Sequence, residues 1–124
     1  MVYFIDESLY IGDSGRRGRG IYSREEIGAN MIIEYSPVIE SYVGGWGDIP
    51  YELKKYVFSY PQGSDRYVIA LGYVSIYNHA DDNNAMWYTE VGGIYIKTLR
   101  RIAVGEEVCI NYGESYWSGG WAKY

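Results

Sequence analysis

Gly105-Glu106-Glu107-Val108-Cys109-Ile110-Asn111-Tyr112-Gly113 is the stretch on which the reading of this chain turns. Val108 to Ile110 form a short apolar run, β-branched at both ends and bounded by Gly105 and by Asn111-Tyr112-Gly113, so it reads as a strand. Glu106 and Glu107 are adjacent. On a strand they point to opposite faces, so at least one is a surface or structural carboxylate rather than half of an acid–base pair. Two other segments gain meaning beside this one: Tyr77-Asn78-His79-Ala80-Asp81-Asp82-Asn83-Asn84, and upstream Arg17-Gly18-Arg19-Gly20-Ile21-Tyr22.

Working outward, further short runs rich in β-branched and aromatic residues lie at 2–5, 9–11, 31–39, 67–71, 85–88 and 94–96. Each is bounded by Gly, Asp, Asn or Ser, and each reads as a strand. One helix is predicted over 50–60, where Leu53, Tyr56, Val57 and Tyr60 fall at helical spacing. Asp48 and Pro50 supply its start signals, and Pro61 stops it. Gly44-Gly45-Trp46-Gly47 reads as a flexible loop, and Gly92-Gly93 as a hairpin turn. The fold class is mainly β with little helix, in a single domain over 1–124, with no repeat and no linker.

The chain has 124 residues, 48% of them hydrophobic, enough for a real core. No apolar run is long enough to cross a bilayer. Met1-Val2-Tyr3-Phe4-Ile5-Asp6-Glu7 lacks a basic n-region, which argues against a secretory signal and for an intracellular protein of cytoplasm or nucleus. Cys109 is the single cysteine, so an internal disulfide and a cysteine-based zinc site are excluded. The net charge of −5 and pI of about 4.8 speak against direct nucleic-acid binding, which needs clustered Lys and Arg. An acidic surface keeps the protein soluble and can also attract basic peptides. The 16 tyrosines can serve as strand and interface residues or line a channel.

Several residues invite chemistry. In Arg17-Gly18-Arg19-Gly20 the glycines allow unusual backbone conformations and close approach of a ligand; a hairpin turn with solvated arginines is the other reading. A phosphate loop is excluded, because no Gly-Lys-Ser/Thr ending follows. His79 is the lone histidine. A general-base or metal role has no second His to support it. Asn83-Asn84 reads as a turn tolerating left-handed backbone. Tyr112 by itself reads as a buried aromatic with a bonded hydroxyl.

Together, and in this order, the three segments resemble the SET-domain protein-lysine methyltransferases, closest to the minimal stand-alone SET proteins of viruses and bacteria. The resemblance covers roughly 9–117, with 41–66 as a variable insert and 113–124 as a short tail. It implies a β-clip-like SET fold of several small curled sheets with a threaded C-terminal segment. It implies S-adenosylmethionine as cofactor, with no metal. Arg17, Gly18, Arg19 and Gly20 then belong to the cofactor's methionine end, Asn78 and His79 to its amino-acid and adenine contacts, and Trp117 to a stacking position on adenine. Tyr112 stands at the catalytic tyrosine, and Ile110, Tyr116 and Tyr77 line the lysine channel. Ala80, Asn83, Asn111 and Ile110 depart from the family pattern.

The resemblance also implies chemistry by positioning and electrostatics, on a neutral lysine amine in line with the S–CH₃ bond. The expected substrate is a lysine in a basic peptide such as a histone tail, with specificity drawn from 41–66 and the acidic surface. With Ile110 in place of a hydroxyl-bearing residue, the reaction is expected to pass beyond monomethyl-lysine. A two-fold homodimer is expected from the abundance of aromatics. The alternatives are a SET-like peptide-binding module that has lost catalysis, and an aromatic-rich β domain binding carbohydrate or peptide.

Overall fold

The computed structural model describes residues 2–40 and 46–113. Ten short strands follow one another: β1 (Phe4–Ile5), β2 (Leu9–Asp13), β3 (Arg19–Ser23), β4 (Ile32–Ile39), β5 (Val57–Ser59), β6 (Tyr67–Ala70), β7 (Asn78–His79), β8 (Ala85–Glu90), β9 (Gly93–Thr98) and β10 (Glu107–Ile110). They form two sheets. One runs β5-β6-β4-β9-β8, with β1 also paired to β4; the other runs β2-β3-β10-β7. All pairings are antiparallel except β10 with β7, which puts Cys109 opposite Asn78 and Ile110 opposite His79.

The long strand β4 is central. Ile33, Glu34, Tyr35 and Ser36 are all buried along it, so both of its faces are covered. Ile21, Ile33, Ile94, Ile96, Ile102 and Ile110 have no exposed surface and tie the two sheets into one core. Burying each such side chain contributes about 1.5–3 kcal/mol.

The β8–β9 hairpin forms where Gly92-Gly93 signalled it. Glu90 pairs with Gly93, which leaves Val91-Gly92 as the two-residue turn, and Gly92 has φ +86°. Only glycine adopts such a conformation without strain. Gly93 has a different reason to be glycine: a Cβ there would lie 2.6 Å from the Tyr35 ring and 2.6 Å from the Ser36 carbonyl oxygen.

The helix predicted over 50–60 is corrected. A 3-10 helix occupies Tyr51–Tyr56 after Pro50, and the chain then enters β5. None of the residues of that helix is buried. Phe58 is buried instead, packing edge-on against Trp87 with centroids 5.0 Å apart. Pairing of Val57-Phe58-Ser59 with Tyr67-Val68-Ile69 therefore outweighs the helical spacing. The strands that pattern alone did not reveal are β3, β5 and β7. β3 carries Arg19 and Gly20, and β7 is a polar pair whose partner lies about thirty residues downstream. The C-terminal segment expected to be threaded, at 114–124, lies outside the described residues, as do Gly44 and Gly45 of the Gly44-Gly45-Trp46-Gly47 loop. Trp46–Asp48 forms a 3-10 turn. Among the described residues no helix is long and apolar enough to cross a membrane.

Candidate active site

The β2–β3 hairpin carries Arg17-Gly18-Arg19-Gly20 at its tip. Gly18 ends a 3-10 turn over Gly15–Arg17 with φ +75°, and a Cβ added to it meets nothing within 4 Å. Gly20 is glycine for the opposite reason: a Cβ would collide with the side chains of Ser14 and Glu107 and lie 2.9 Å from Asn78 Nδ2. The segment is the hairpin tip of the second reading, and the protein's own side chains crowd its backbone at Gly20.

Ser14 belongs to the hairpin itself, and the other two side chains come from the start of β10 and from β7. Asn78 Nδ2 donates to the Arg19 carbonyl at 3.0 Å and to Glu107 Oε2 at 2.8 Å. The Arg17 guanidinium pairs with Glu107 Oε1 and donates to the His79 carbonyl at 3.3 Å. With the Arg17 side chain 46% exposed, the ion pair contributes roughly 0–1 kcal/mol. Its consequence is geometric, since it seats the hairpin tip against β7 and β10. Arg19 brings its carbonyl here, while the residue as a whole is exposed.

Glu106 turns the other way, as adjacent strand residues must. Its Oε1 accepts from the Ala103 N–H at 2.8 Å, and that bond leads the causes holding its carboxyl below the ordinary range. Asn84 is 3% exposed. Its Oδ1 accepts from the Cys109 N–H at 2.9 Å, and its Nδ2 donates to Glu106 Oε2 at 3.0 Å and to the Glu107 carbonyl at 2.8 Å. The expected left-handed turn at Asn83-Asn84 is corrected: the non-glycine residue with positive φ among the described residues is Asn30. A side chain satisfied on both its oxygen and its nitrogen, not backbone tolerance, requires asparagine at 84.

His79 braces the other end of β10. Its Nδ1 accepts from the Tyr112 backbone N–H at 3.0 Å, which makes Nε2 the protonated nitrogen facing Asp81 Oδ1 at 2.8 Å. Its ring lies 5.1 Å from that of Tyr112. A neutral imidazole used in this way holds the strand end rather than a metal. Among the described residues no group of three or more His, Cys, Asp or Glu is arranged for a metal ion.

The Tyr112 hydroxyl donates to the Tyr77 carbonyl at 2.9 Å. Both residues line a cavity of about 220 Å³ whose walls include Trp46, Tyr67, Trp87 and Lys55. Trp87 Nε1 donates to the Asn111 carbonyl at 3.0 Å, fixing the residue before Tyr112. Tyr77 is 1% exposed, and its hydroxyl donates to Glu34 Oε1 at 2.8 Å. Burial, and then the Glu34 carboxylate, push that phenol far above its ordinary pKa. Tyr77 therefore offers the cavity its ring and main chain, not a hydroxyl. Ile110 has no exposed surface, packs in the core and is not a cavity wall. Tyr116 and Trp117 lie outside the described residues.

Glu34 and the walls Trp46, Tyr67 and Trp87 were missed in the sequence. For Glu34 a signal existed, a carboxylate inside the apolar run 31–39. For the walls there was none, since they come from distant elements.

The SET domain family matches residues 18–113 of this chain. A histone-lysine N-methyltransferase of Schizosaccharomyces pombe, named as specific for H3 lysine-37, is 34% identical over 122 residues, covering 91% of this chain and 78% of that protein. The crystal structure of a Plasmodium falciparum protein described as a histone methyltransferase superposes with TM-score 0.74 at 30% identity, covering 91% of this chain and 99% of that one. A humanized mutant of the Chaetomium thermophilum Polycomb Repressive Complex 2 bound to an inhibitor shares the fold, with TM-score 0.65 at 17% identity over 88% of this chain and 15% of that one. An aromatic-rich carbohydrate-binding domain of another family is thereby set aside, and the chain belongs to the SET-domain family, as a protein-lysine methyltransferase.

Proposed function

We propose that this chain methylates a lysine of a basic, histone-type peptide, with S-adenosylmethionine bound at the Arg17–Gly20 hairpin and Tyr112 as the catalytic residue. The observation that carries the reading is the Tyr112 hydroxyl on the Tyr77 carbonyl, in the wall of an aromatic cavity and one residue from Asn78. Asn78 faces the hairpin, so residues 77–79 join a cofactor side to a substrate side.

The residues present fit the cofactor by the chemistry of the donor set. A zwitterion taken from water needs both donors and acceptors. Arg17, the Asn78 amide and the main chain at Gly18 supply them, and Gly18 leaves open space where a side chain would stand. Bound there, S-adenosylmethionine supplies a methyl group on a sulfonium. Arg17 and Asn78 hold its charged end. Trp46, Tyr67 and Trp87 exclude water around the lysine stem, and desolvation lowers the lysine pKa so that the ammonium gives its proton up to solvent water. The Tyr112 hydroxyl orients the neutral amine, and the Tyr77 carbonyl is an acceptor for weak C–H···O contacts. Trp117 and Tyr116 complete the adenine and lysine sides in this reading.

The acidic chain, at −5, suits a basic tail. The activity named for the Schizosaccharomyces pombe relative supports a histone substrate and a site of action inside the cell. A homodimer belongs to the same reading, supported by the exposed Val2, Tyr3, Phe4, Ile5 and Val91. Light scattering at micromolar concentration tests it, and a monomeric mass counts against it.

Labelled cofactor on an array of histone and non-histone lysine peptides tests the function. Methyl transfer by chelator-treated protein is expected, together with thermal stabilisation of about 3 kcal/mol at a hundredfold excess over Kd. Absence of transfer and of stabilisation would overturn it.

A further inference from the structure

We propose that Glu34 is a positioning residue for methyl transfer: its buried carboxylate grips both ends of the 73–77 turn and so aims the Tyr77 carbonyl at the Tyr112 hydroxyl. The inference rests on the function proposed above.

Glu34 sits mid-β4 with no exposed surface. A carboxylate there loses its hydration and must be met by donors. Three are present. Tyr77 Oη donates at 2.8 Å, the Tyr73 backbone N–H at 2.8 Å and Ser36 Oγ at 2.6 Å. Tyr73 and Val74 open the 3-10 turn Val74–Ile76, and Tyr77 closes it. One side chain thus holds the start and the end of a single turn. Gly72, at φ +71°, brings the chain close enough, because a Cβ there would collide with Glu34 and Ser36.

Tyr77 is in this way fixed from two directions. Its hydroxyl is bound to Glu34 in the sheet of β4, and its carbonyl is bound by Tyr112. The next residue, Asn78, begins β7 in the other sheet. A carboxylate buried with its donors is no better for stability than an apolar cluster of the same volume in place of the whole group, so stability alone does not account for Glu34. Its effect is to set where the Tyr77 main chain stands. Glu34 is not a wall of the cavity and acts through Tyr77.

The test uses the full chain with Glu34→Gln, Tyr77→Phe and the double variant. Turnover is read on a histone-tail lysine peptide with labelled S-adenosylmethionine. The Tyr77 carbonyl resonance is read by NMR through the Tyr77-Asn78 pair, which is the one Tyr-Asn pair in the sequence. Glu34→Gln should lower kcat about 10- to 100-fold, as a misplaced catalytic group does, with KM for peptide and cofactor within about twofold. It should also move the Tyr77 resonance in the direction that Tyr112→Phe moves it. Tyr77→Phe should do the same, and the double variant should lose little more than the worse single. An unmoved resonance in folded Glu34→Gln protein, unchanged kcat, or multiplicative losses would overturn the proposal. If Glu34→Gln fails to fold, Tyr77→Phe carries both readouts. A wild-type chain that transfers no methyl counts against the proposed function, while the resonance still decides whether Glu34 sets Tyr77.

Discussion

Tyr112 donates its hydroxyl proton to the main-chain oxygen of Tyr77 at 2.9 Å, while the Tyr112 backbone N–H is held by His79 Nδ1 at 3.0 Å. The residue assigned to catalysis is thus bound at side chain and backbone to the two residues that flank Asn78. Its position depends on β7 and β10 running parallel, with Ile110 opposite His79.

Tyr112→Phe keeps the ring in the cavity wall and removes the group that orients the amine. Turnover should fall by about two to four orders of magnitude, the range for losing a positioned hydroxyl or acid–base group. Cofactor affinity should stay within a few-fold, because the loss falls on the transition state. Single-turnover kinetics beside calorimetry with S-adenosylmethionine checks this. Wild-type turnover would remove the assignment.

Asn78→Ala should act in the reverse sense. It removes the donor to the Arg19 carbonyl and to Glu107, leaving an acceptor unsatisfied at the hairpin tip. Cofactor Kd should rise about tenfold or more, the equivalent of a charged-partner hydrogen bond, with a smaller change in kcat at saturating cofactor. Calorimetric titration of the variant measures it.

Burial raises the Glu34 carboxyl above its ordinary value of 4.5, more than its hydrogen bonds lower it. The folded chain then holds this proton more tightly than the unfolded chain does. The contribution to stability is greatest below about pH 4.5 and declines as pH rises from there through the raised folded value. Thermal melts between about pH 4 and pH 8 should show this decline in the wild type and less of it in Glu34→Gln. Parallel curves for the two proteins would contradict the sign.

The product should pass beyond monomethyl-lysine, to dimethyl-lysine at least. Ile110 packs in the core and brings no hydroxyl to the cavity, and the Tyr77 hydroxyl is engaged by Glu34. Mass spectrometry of a peptide with excess cofactor reads the product, and persistent monomethyl-lysine would refute the expectation. Ile110→Tyr is a poor probe. Ile110 is fully buried, and a larger residue there costs roughly 1–3 kcal/mol by overpacking before it reaches any channel.

What the sequence determined on its own is what nearest neighbours along the chain decide. Alternating and β-branched runs marked β4, β6, β8, β9 and β10, because a strand's period and propensity are local properties. Gly92-Gly93 marked a hairpin, because tolerance of positive φ is a property of one residue, while strand pairing placed the turn itself at Val91-Gly92. The motifs around Gly18, Asn78 and Tyr112 identified the family and the side chains assigned to the reaction. Tertiary structure decided which of them meet. Arg17 and Glu107 are ninety residues apart, and Glu34 and Tyr77 forty-three. Periodicity carries no signal for such pairs. It also decided that 51–56 is a 3-10 helix leading into a strand, because pairing with β6 and burial of Phe58 outweigh a helical pattern of exposed residues. The cavity walls Trp46, Tyr67, Trp87 and Tyr112 come from four separate segments. Their convergence follows from the closing of two sheets around one core, since hydrophobic burial has no direction along the chain and draws together whatever the folded topology brings near.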